Sequence, residues 1–355
     1  MTKPKKIGIL TSGGDCAGLN AVIRAATEAA VGRGWEVVGL RNGHLGLLNT
    51  PPDVVPLNAD NLRGDMLRAG GTILGTTTKG DPFAYPGPDG KKTDRSGDVL
   101  AAIQGLGIEA LVVIGGDGSM RLFDRLLSPG NIPWVGVPKT IDNDVPGTEF
   151  AVGFFTAVEI AGQALDRLAT TAASHRRIMV LEVMGRDSGY IALFAGIAGG
   201  ADVILMPEFA YDLDAVAAHV RRVTHDRPSP VLVVVAEGLK RPASERREKS
   251  SIGDAISAEL QKRTGFDSRC TVLGHLQRGG TPVMFDRILG SAFGARAISL
   301  LAAGENRRMV AWRGGRVSDI PTTDVTSGPS FVGADSQMMR TARRLGIYVG
   351  EGPAA

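Results

Sequence analysis

The sequence predicts an α/β protein with two Rossmann-like domains, each a three-layer structure around a mainly parallel sheet. Short apolar runs alternate with helix-length amphipathic segments along the chain, which is typical of parallel strands joined by crossover helices. Nearly every apolar run ends in a polar, glycine-rich turn. The length of 355 residues exceeds what one core usually fills. Because ligands bind beyond the carboxyl ends of strands in open α/β sheets, we expect the active site in the cleft between the two domains.

The apolar pattern defines the elements in chain order. The predicted strands are residues 7–10, 37–40, 111–114, 135–137, 178–183, 231–235 and 271–273, and the predicted helices are 20–31, 156–171, 252–263 and 286–303. Gly265 and Gly304 stand where glycine ends a helix. We expect the first domain to take residues 1–153 and 277–330, and the second to take 154–276 and 331–355.

Composition and charge narrow the class of protein. A net charge of +3, spread along the chain, does not favour nucleic acid as a partner. No segment approaches the roughly 20 apolar residues of a membrane span, and the apolar run at 7–10 is too short for the core of a signal peptide. Cys16 and Cys270 lie far apart in sequence, which favours free thiols in a reducing compartment. We therefore expect a cytoplasmic protein that binds neither nucleic acid nor a membrane.

The turn Gly115-Gly116-Asp117-Gly118-Ser119 follows the predicted strand at 111–114. Glycines let backbone N–H groups approach phosphate oxygens, and a following helix adds its positive end. Asp117 would face phosphate only with a cation between them, and Mg²⁺ is the natural candidate. The alternative is an ordinary strand-to-helix turn with a solvated Asp117. The earlier turn at 12–15 has neither a Walker nor a dinucleotide pattern. Its sequence is equally consistent with nucleotide contact and with a tight strand-to-helix turn that has a capping Asp.

The stretch Pro138-Lys139-Thr140-Ile141-Asp142-Asn143-Asp144 follows the predicted strand at 135–137. Its two carboxylates can divide the work of phosphoryl transfer, one lying near a metal and one accepting a proton from an attacking hydroxyl. The alternative is a loop whose Asp and Asn side chains cap a helix or a turn.

Basic side chains cluster near the predicted strand ends. They are Lys79, Lys139, Arg177, Arg186, Arg269, His275 and Arg278. The planar fork of arginine binds phosphate through two hydrogen bonds, so this set suits a sugar phosphate as well as a nucleotide. Any single arginine could instead be solvated or salt-bridged, and His275 could be a core histidine.

Together the motifs resemble the 6-phosphofructokinase family in order and spacing, over about residues 5–335. They are Thr11-Ser12-Gly13-Gly14-Asp15, Gly115-Gly116-Asp117-Gly118-Ser119, Pro138 to Asp144, Met184-Gly185-Arg186 and Gly274-His275-Leu276-Gln277-Arg278-Gly279-Gly280. The resemblance implies transfer of the ATP γ-phosphoryl group to the 1-hydroxyl of fructose 6-phosphate, with Mg²⁺. It also implies that the first domain binds nucleotide and the second binds sugar phosphate.

The resemblance implies roles for individual residues. The nucleotide phosphates would be held by Gly14, Lys79, Gly80, Gly116, Asp117, Gly118 and Ser119, with Asp117 as the metal ligand. Asp142 would be the base, and Thr140 and Arg186 would complete the catalytic set. The sugar phosphate would be held by Thr140, Ile141, Asp142, Arg177, Met184, Gly185, Arg186, Glu237, Arg269, His275, Leu276, Gln277 and Arg278. Arg177 and Arg269 would reach over from a neighbouring subunit, which implies a homo-oligomer, a dimer or a tetramer, with shared sites.

The phosphoryl donor depends on two positions. Gly118 matches the ATP-dependent members, whereas similar pyrophosphate-dependent enzymes carry an Asp there that repels an α-phosphate. Lys139 is instead the residue that pyrophosphate enzymes use before the threonine. A lysine adds attraction but excludes nothing, so we expect ATP as the donor, with pyrophosphate as the alternative. A catalytically silent sensor on the same fold is a further alternative, although it would not need Asp142.

Overall fold

A computed structural model of the chain describes residues 6–58, 62, 64–87, 90–226, 230–241, 250–325 and 328–353. The strands are β1 Lys6–Thr11, β2 Glu36–Leu40, β3 Val54–Leu57, β4 Tyr85–Pro86, β5 Lys92–Thr93, β6 Ala110–Gly115, β7 Trp134–Pro138, β8 Ile178–Val183, β9 Val203–Leu205, β10 Phe209–Ala210, β11 Val231–Ala236, β12 Ser268–Val272, β13 Arg308–Arg313, β14 Arg316–Pro321 and β15 Glu351–Pro353. The α-helices are α1 Leu19–Val31, α2 Ser96–Gly105, α3 Asp117–Leu127, α4 Phe154–His175, α5 Tyr190–Ala198, α6 Leu213–Asp226, α7 Ile252–Thr264, α8 Met284–Ala302 and α9 Gln337–Arg344.

The chain divides into two compact units. Unit 1 comprises Met1–Thr140, Val145–Gly153 and Arg278–Pro329, and unit 2 comprises Ile141–Asp144, Phe154–Gln277 and Ser330–Ala355. This division differs in detail from the predicted boundaries: residues 141–144, Gln277 and Ser330 fall in unit 2. The change of unit between Thr140 and Ile141 lies inside the motif that carries the expected base.

Unit 1 is organised around a sheet with the strand order β14-β13-β7-β6-β1-β2-β3. The inner strands β13, β7, β6, β1 and β2 run parallel, and the edge strands β14 and β3 pair antiparallel with their neighbours. Every residue of β6 is buried, as expected of a strand with both faces covered. The turns after β1, β6 and β7 therefore lie along one edge of this sheet.

Helices cover both faces of that sheet. Leu111 and Val113 of β6 belong to a core that also contains Ile103 of α2 and Phe123 of α3. Side chains alternate along a strand, so Val112 and Ile114 point to the opposite face, where α8 packs on β6 and β7 and also against α1. This gives the three layers that the sequence predicted.

Unit 2 contains a parallel sheet with the strand order β12-β8-β11-β9 and a separate antiparallel pair, β10 and β15. Its core joins apolar residues of β8, β9 and β11 to Val216 and Val220 of α6 and Ile256 and Leu260 of α7. The helices α4 and α5 contact the same strands. The predicted α/β class with mainly parallel sheets is confirmed.

The element boundaries show where the apolar pattern succeeded and failed. The predicted bounds of the strand at 271–273 were wrong, since β12 spans Ser268–Val272. The first residues of β12 are polar, so the apolar pattern did not show where the strand begins. The hairpin of β13 and β14 was not predicted, because the apolar run of β13 is short and flanked by arginines and β14 contains polar residues in its middle. In the part of the chain that the structure describes, no helix combines the length and hydropathy needed to cross a membrane.

Candidate active site

The turn after β6 places Asp117, Gly118 and Ser119 in the first turn of α3. The strand end and the helix start can lie this close only because residue 115 is glycine. A Cβ at Gly115 would lie 2.4 Å from the Cβ of Ser119 and collide with it. The first N–H groups of a helix lack partners within the helix, so this end favours anionic oxygens. The structure thus places four of the expected donor-phosphate residues, from Gly116 to Ser119, at one helix N-terminus.

The turn after β1 is hydrogen-bonded to this helix and to a loop at 76–80. The Ser119 hydroxyl donates to Ser12 Oγ at 3.0 Å. The Gly13 N–H donates to the Thr77 carbonyl at 2.8 Å, and Thr76 Oγ1 donates to the Gly13 carbonyl at 2.6 Å. The glycine turn that contains Gly14, the helix start and the loop that carries Lys79 and Gly80 therefore form one connected group within unit 1.

Lys139 lies beneath the turn after β1. Its side chain is only 3% exposed, and Nζ donates to the Gly14 carbonyl. A Cβ at Gly13 would lie 3.1 Å from the same Nζ. The lysine thus supports the backbone of the predicted donor turn.

Arg278 belongs to unit 1 and contacts the same turn. Its Nη1 donates to the Asp15 carbonyl at 3.1 Å and lies 2.7 Å from the position of a Cβ at Gly14. Sequence reasoning grouped Arg278 with the sugar-phosphate residues. The structure places its guanidinium against the backbone of the donor turn.

His44 follows β2 and was not singled out from the sequence. Its ring is 2% exposed, and Nε2 is hydrogen-bonded to the Gly80 carbonyl. Burial lowers the pKa of His44, although the bond to Gly80 and the nearby Asp81 act in the opposite direction. Position 44 offers no local motif, and only the fold brings it to Gly80.

Cys16 lies close to Lys139, but its side chain is an uncharged, buried thiol. Its side chain is buried, its thiol donates to the Val152 carbonyl at 3.3 Å, and burial raises its pKa to about 12 despite the attraction of Lys139. The thiol therefore stays neutral at physiological pH and is a poor nucleophile.

Asp142 lies in the short segment of unit 2 that interrupts unit 1. Its side chain is 8% exposed. The Ser188 hydroxyl donates to the Asp142 carbonyl at 3.1 Å, and the Ser330 N–H donates to the Asp144 carbonyl at 2.7 Å. The backbone around the expected base is therefore held from two other parts of unit 2.

The turn after β8 carries Met184, Gly185 and Arg186. Glu237 Oε1 accepts hydrogen bonds from the N–H groups of Gly185 at 3.3 Å and Arg186 at 3.0 Å. Gln277 Oε1 accepts from the Met184 N–H at 2.7 Å. Two residues that sequence reasoning assigned to the sugar therefore shape the backbone of this turn.

Arg177 and Arg269 are brought together by Asp267, another residue that sequence reasoning missed. Arg177 precedes β8 and Arg269 lies in β12, which pairs with β8. Arg177 Nε lies 2.5 Å from Asp267 Oδ2, and Arg269 Nη1 is paired with Oδ1 of the same carboxylate. One carboxylate thus orients both of the arginines expected to reach a neighbouring subunit. His275 and Leu276 lie in the short helical turn Gly274–Arg278, where Leu276 is 70% exposed.

Asp117 is the residue that the sequence analysis expected to bind a magnesium ion. Its Oδ2 is 2.8 Å from Arg121 Nη2, and its side chain is one-fifth exposed. Across the described residues, no group of three or more His, Cys, Asp or Glu side chains has the arrangement of a metal site. A single hard carboxylate beside a phosphate turn fits Mg²⁺, which commonly takes one or two carboxylates and completes its shell with phosphate oxygens and water.

Known proteins of one family are similar to this chain. A sequence model of the family described as Phosphofructokinase matches residues 6–301. The ATP-dependent 6-phosphofructokinase 1 of Nostoc sp. is 48% identical over 360 residues, covering 99% of this chain and 100% of that protein. The protein of the same name from Synechocystis sp. is 47% identical and covers 99% of both.

Solved structures agree on the fold. A phosphofructokinase from Saccharomyces cerevisiae is 30% identical with a TM-score of 0.77, covering 91% of this chain, which spans 45% of the yeast chain. A pyrophosphate-dependent phosphofructokinase from Marinobacter aquaeolei has a TM-score of 0.81 over 99% of this chain and 93% of its own. At 20% identity it supports the fold alone.

Proposed function

The chain belongs to the phosphofructokinase family, and we propose how its residues carry out the ATP-dependent phosphorylation of fructose 6-phosphate that the names of its curated relatives describe. The product is fructose 1,6-bisphosphate. The observation that carries the assignment of roles is the stretch from Lys139 to Asp142. Lys139 supports the donor turn of unit 1. Three residues later follows the buried carboxylate of Asp142, which belongs to unit 2.

The donor phosphates bind along the turns after β1 and β6. The binding groups are Gly14, Lys79, Gly80, Gly116, Asp117, Gly118 and Ser119. The support for this role is the helix N-terminus at Asp117 and the hydrogen bonds that join the two turns and the loop at 76–80. Asp117 would hold Mg²⁺, which neutralises charge on the phosphates when it is bound.

Asp142 is the general base. It accepts the proton of the sugar 1-hydroxyl as that oxygen forms a bond to the γ-phosphorus. The bond from this phosphorus to the bridging oxygen breaks, and ADP leaves. Thr140 and Arg186 orient the transferred group, since phosphoryl transfer depends mainly on positioning and charge stabilisation.

The sugar phosphate binds in unit 2 and at the short helical turn that follows β12. Its binding groups are Thr140, Ile141, Asp142, Arg177, Met184, Gly185, Arg186, Glu237, Arg269, His275, Leu276, Gln277 and Arg278. Arg177 and Arg269 act on the sugar phosphate of a neighbouring subunit, so the active protein is a homo-oligomer. This part of the proposal is supported by their common partner Asp267 and by their partial exposure.

The test is Asp142→Asn, with Asp98→Asn as the matched control. Asp98 is an exposed carboxylate of α2, paired with Arg95, to which the mechanism assigns no role. Loss of a general base lowers kcat by roughly 10² to 10⁴, so Asp142→Asn should do this with little change in the KM for fructose 6-phosphate. Asp98→Asn should match the wild type. An Asp142→Asn enzyme with unchanged kcat would remove Asp142 from the role of base.

The presence of Lys139 favours pyrophosphate as an alternative donor, because similar pyrophosphate enzymes carry a lysine before the threonine. Its contact with the Gly14 carbonyl gives this lysine a supporting role that does not require pyrophosphate. Initial rates with ATP or pyrophosphate as the sole donor separate the two possibilities, and we expect turnover with ATP alone.

A further inference from the structure

His44 is a buried histidine whose bonding is specific. Its Nε2 is hydrogen-bonded to the Gly80 carbonyl. A carbonyl oxygen can only accept, so Nε2 carries the proton. His44 Nδ1 is buried and has no hydrogen-bond partner among the residues that the structure describes. The ring is therefore held as one neutral tautomer, with its N–H directed at a single backbone atom.

That atom belongs to a loop that is tied at both ends. At one end, Thr76 Oγ1 donates to the Gly13 carbonyl, and the Gly13 N–H donates to the Thr77 carbonyl. In the middle, Thr77 Oγ1 accepts from the Lys79 N–H at 3.1 Å. At the other end, the bond from His44 fixes Gly80. Lys79 and Gly80, both assigned to the donor phosphates, lie within the stretch that these hydrogen bonds hold.

The backbone at Gly80 needs such a support. Gly80 has φ +79°, a left-handed conformation, and a Cβ there would lie 2.6 Å from Leu45 Cδ2. Glycine adopts this conformation easily but also leaves it easily. The hydrogen bond from His44 selects one of the conformations open to Gly80. The rings of His44 and Phe123 of α3 are packed edge to face, with their centroids 6.4 Å apart.

We propose that His44 is a positioning residue of the donor site: by fixing the Gly80 carbonyl, it holds Lys79 and Gly80 where they bind the ATP phosphates. This inference rests on the proposed assignment of Lys79 and Gly80 to the donor. His44 acts through the loop and does not touch the nucleotide itself. Its loss should therefore weaken ATP binding and leave the sugar half of the reaction unchanged.

The experiment compares His44→Phe with His44→Gln. Phenylalanine keeps a ring beside Phe123 but cannot donate, whereas glutamine keeps an N–H near the position of Nε2. One hydrogen bond contributes about 0.5–1.5 kcal/mol, so His44→Phe should raise the KM for ATP roughly two- to tenfold. The KM for fructose 6-phosphate and kcat at saturating ATP should stay within about twofold of the wild type. His44→Gln should restore most of the ATP affinity.

Two further variants distinguish positioning from general loosening. His219→Phe removes another buried histidine, in α6 of unit 2, and should leave the KM for ATP unchanged. Thr76→Val cuts the tie at the other end of the loop and should also raise the KM for ATP. His44→Leu, which likewise removes the donor, provides the test of His44 if His44→Phe does not fold. Equilibrium dialysis of ATP measures affinity in all variants without fructose 6-phosphate.

Specific results would overturn the inference. They are an unchanged ATP affinity in folded His44→Phe or His44→Leu, an equal rise in the KM for both substrates, or His44→Gln behaving like His44→Phe. A wild-type protein that binds ATP in dialysis but forms no fructose 1,6-bisphosphate would refute the proposed function. In that case the ATP affinities would still decide the role of His44.

Discussion

A single carboxylate at position 118 should convert a good ATP site into a poor one. Gly118 is the second residue of α3, and a Cβ there would have Arg121 Nη2 as its nearest heavy atom, at 3.8 Å. The Cβ of an aspartate therefore fits without displacing the backbone. An acidic residue in the first turn also interacts favourably with the helix dipole. Gly118→Asp should fold as the wild type does, so its effect reports on the ligand.

The magnitude follows from Coulomb's law. Two unit charges about 4 Å apart, at an effective dielectric constant of about 20, repel by about 4 kcal/mol. Since each 1.4 kcal/mol is tenfold, the kcat/KM for ATP should fall by about a thousandfold. Arg121 already pairs with Asp117, and any pairing of Arg121 with the new carboxylate would reduce this value.

The assay is the initial rate of fructose 1,6-bisphosphate formation, with ATP or pyrophosphate as the sole donor. The matched control is Gly118→Asn, which has the same size and no charge, and which should lose less than tenfold with ATP. If Gly118→Asn lost as much as Gly118→Asp, the effect would be steric and the electrostatic reasoning would be wrong. If Gly118→Asp turned over ATP normally, position 118 would have no part in donor choice.

Three other predictions concern Lys139 at the donor site, Asp267 beside the sugar-phosphate arginines, and the buried thiol of Cys16. Lys139→Met removes the bond to the Gly14 carbonyl, so the KM for ATP should rise several-fold without any gain in pyrophosphate turnover; an unchanged KM for ATP would contradict this role. Asp267→Asn frees Arg177 and Arg269; because exposed ion pairs contribute about 0.2–1 kcal/mol, the KM for fructose 6-phosphate should rise roughly two- to fivefold while the KM for ATP stays constant. The pKa of Cys16 rises from 9.0 to about 12 on folding, so its contribution to stability is complete below pH 9 and is lost as the pH rises toward 12. At pH 10.5 that loss is on the order of 2 kcal/mol, and Cys16→Ala should show a smaller fall in unfolding free energy between pH 8 and 10.5; equal falls in the two proteins would refute it.

Features of the fold could be predicted from the sequence where neighbouring residues determine them. The turn from Gly115 to Ser119 could be placed between a strand and a helix because the apolar run and the glycines adjoin it. The hairpin of β13 and β14 was missed because arginines flank the short apolar run of β13, and Ser318 and Asp319 interrupt the apolar pattern of β14.

The supporting contacts could not be read from the sequence, because each one joins distant positions. His44 meets Gly80, Asp267 meets Arg177, and Glu237 meets the backbone of Gly185. A motif shows which residue types a site needs. It does not show whether a carboxylate such as Glu237 is directed at a ligand or at the backbone N–H groups of a turn.

The order in which the two units alternate along the chain restricts how this protein can be taken apart. The chain changes unit after Thr140, Asp144, Gly153, Gln277 and Pro329. Any fragment made by cutting once therefore carries an incomplete piece of at least one unit, and neither unit can be inherited or expressed as a contiguous module. The four residues at 141–144 are too few to form a core of their own, so they depend on partners supplied much later in the chain, such as Ser188 and Ser330. During synthesis, the segment with the proposed base emerges long before the residues that fix it, and both of its supporting hydrogen bonds can form only after Ser330 has been made.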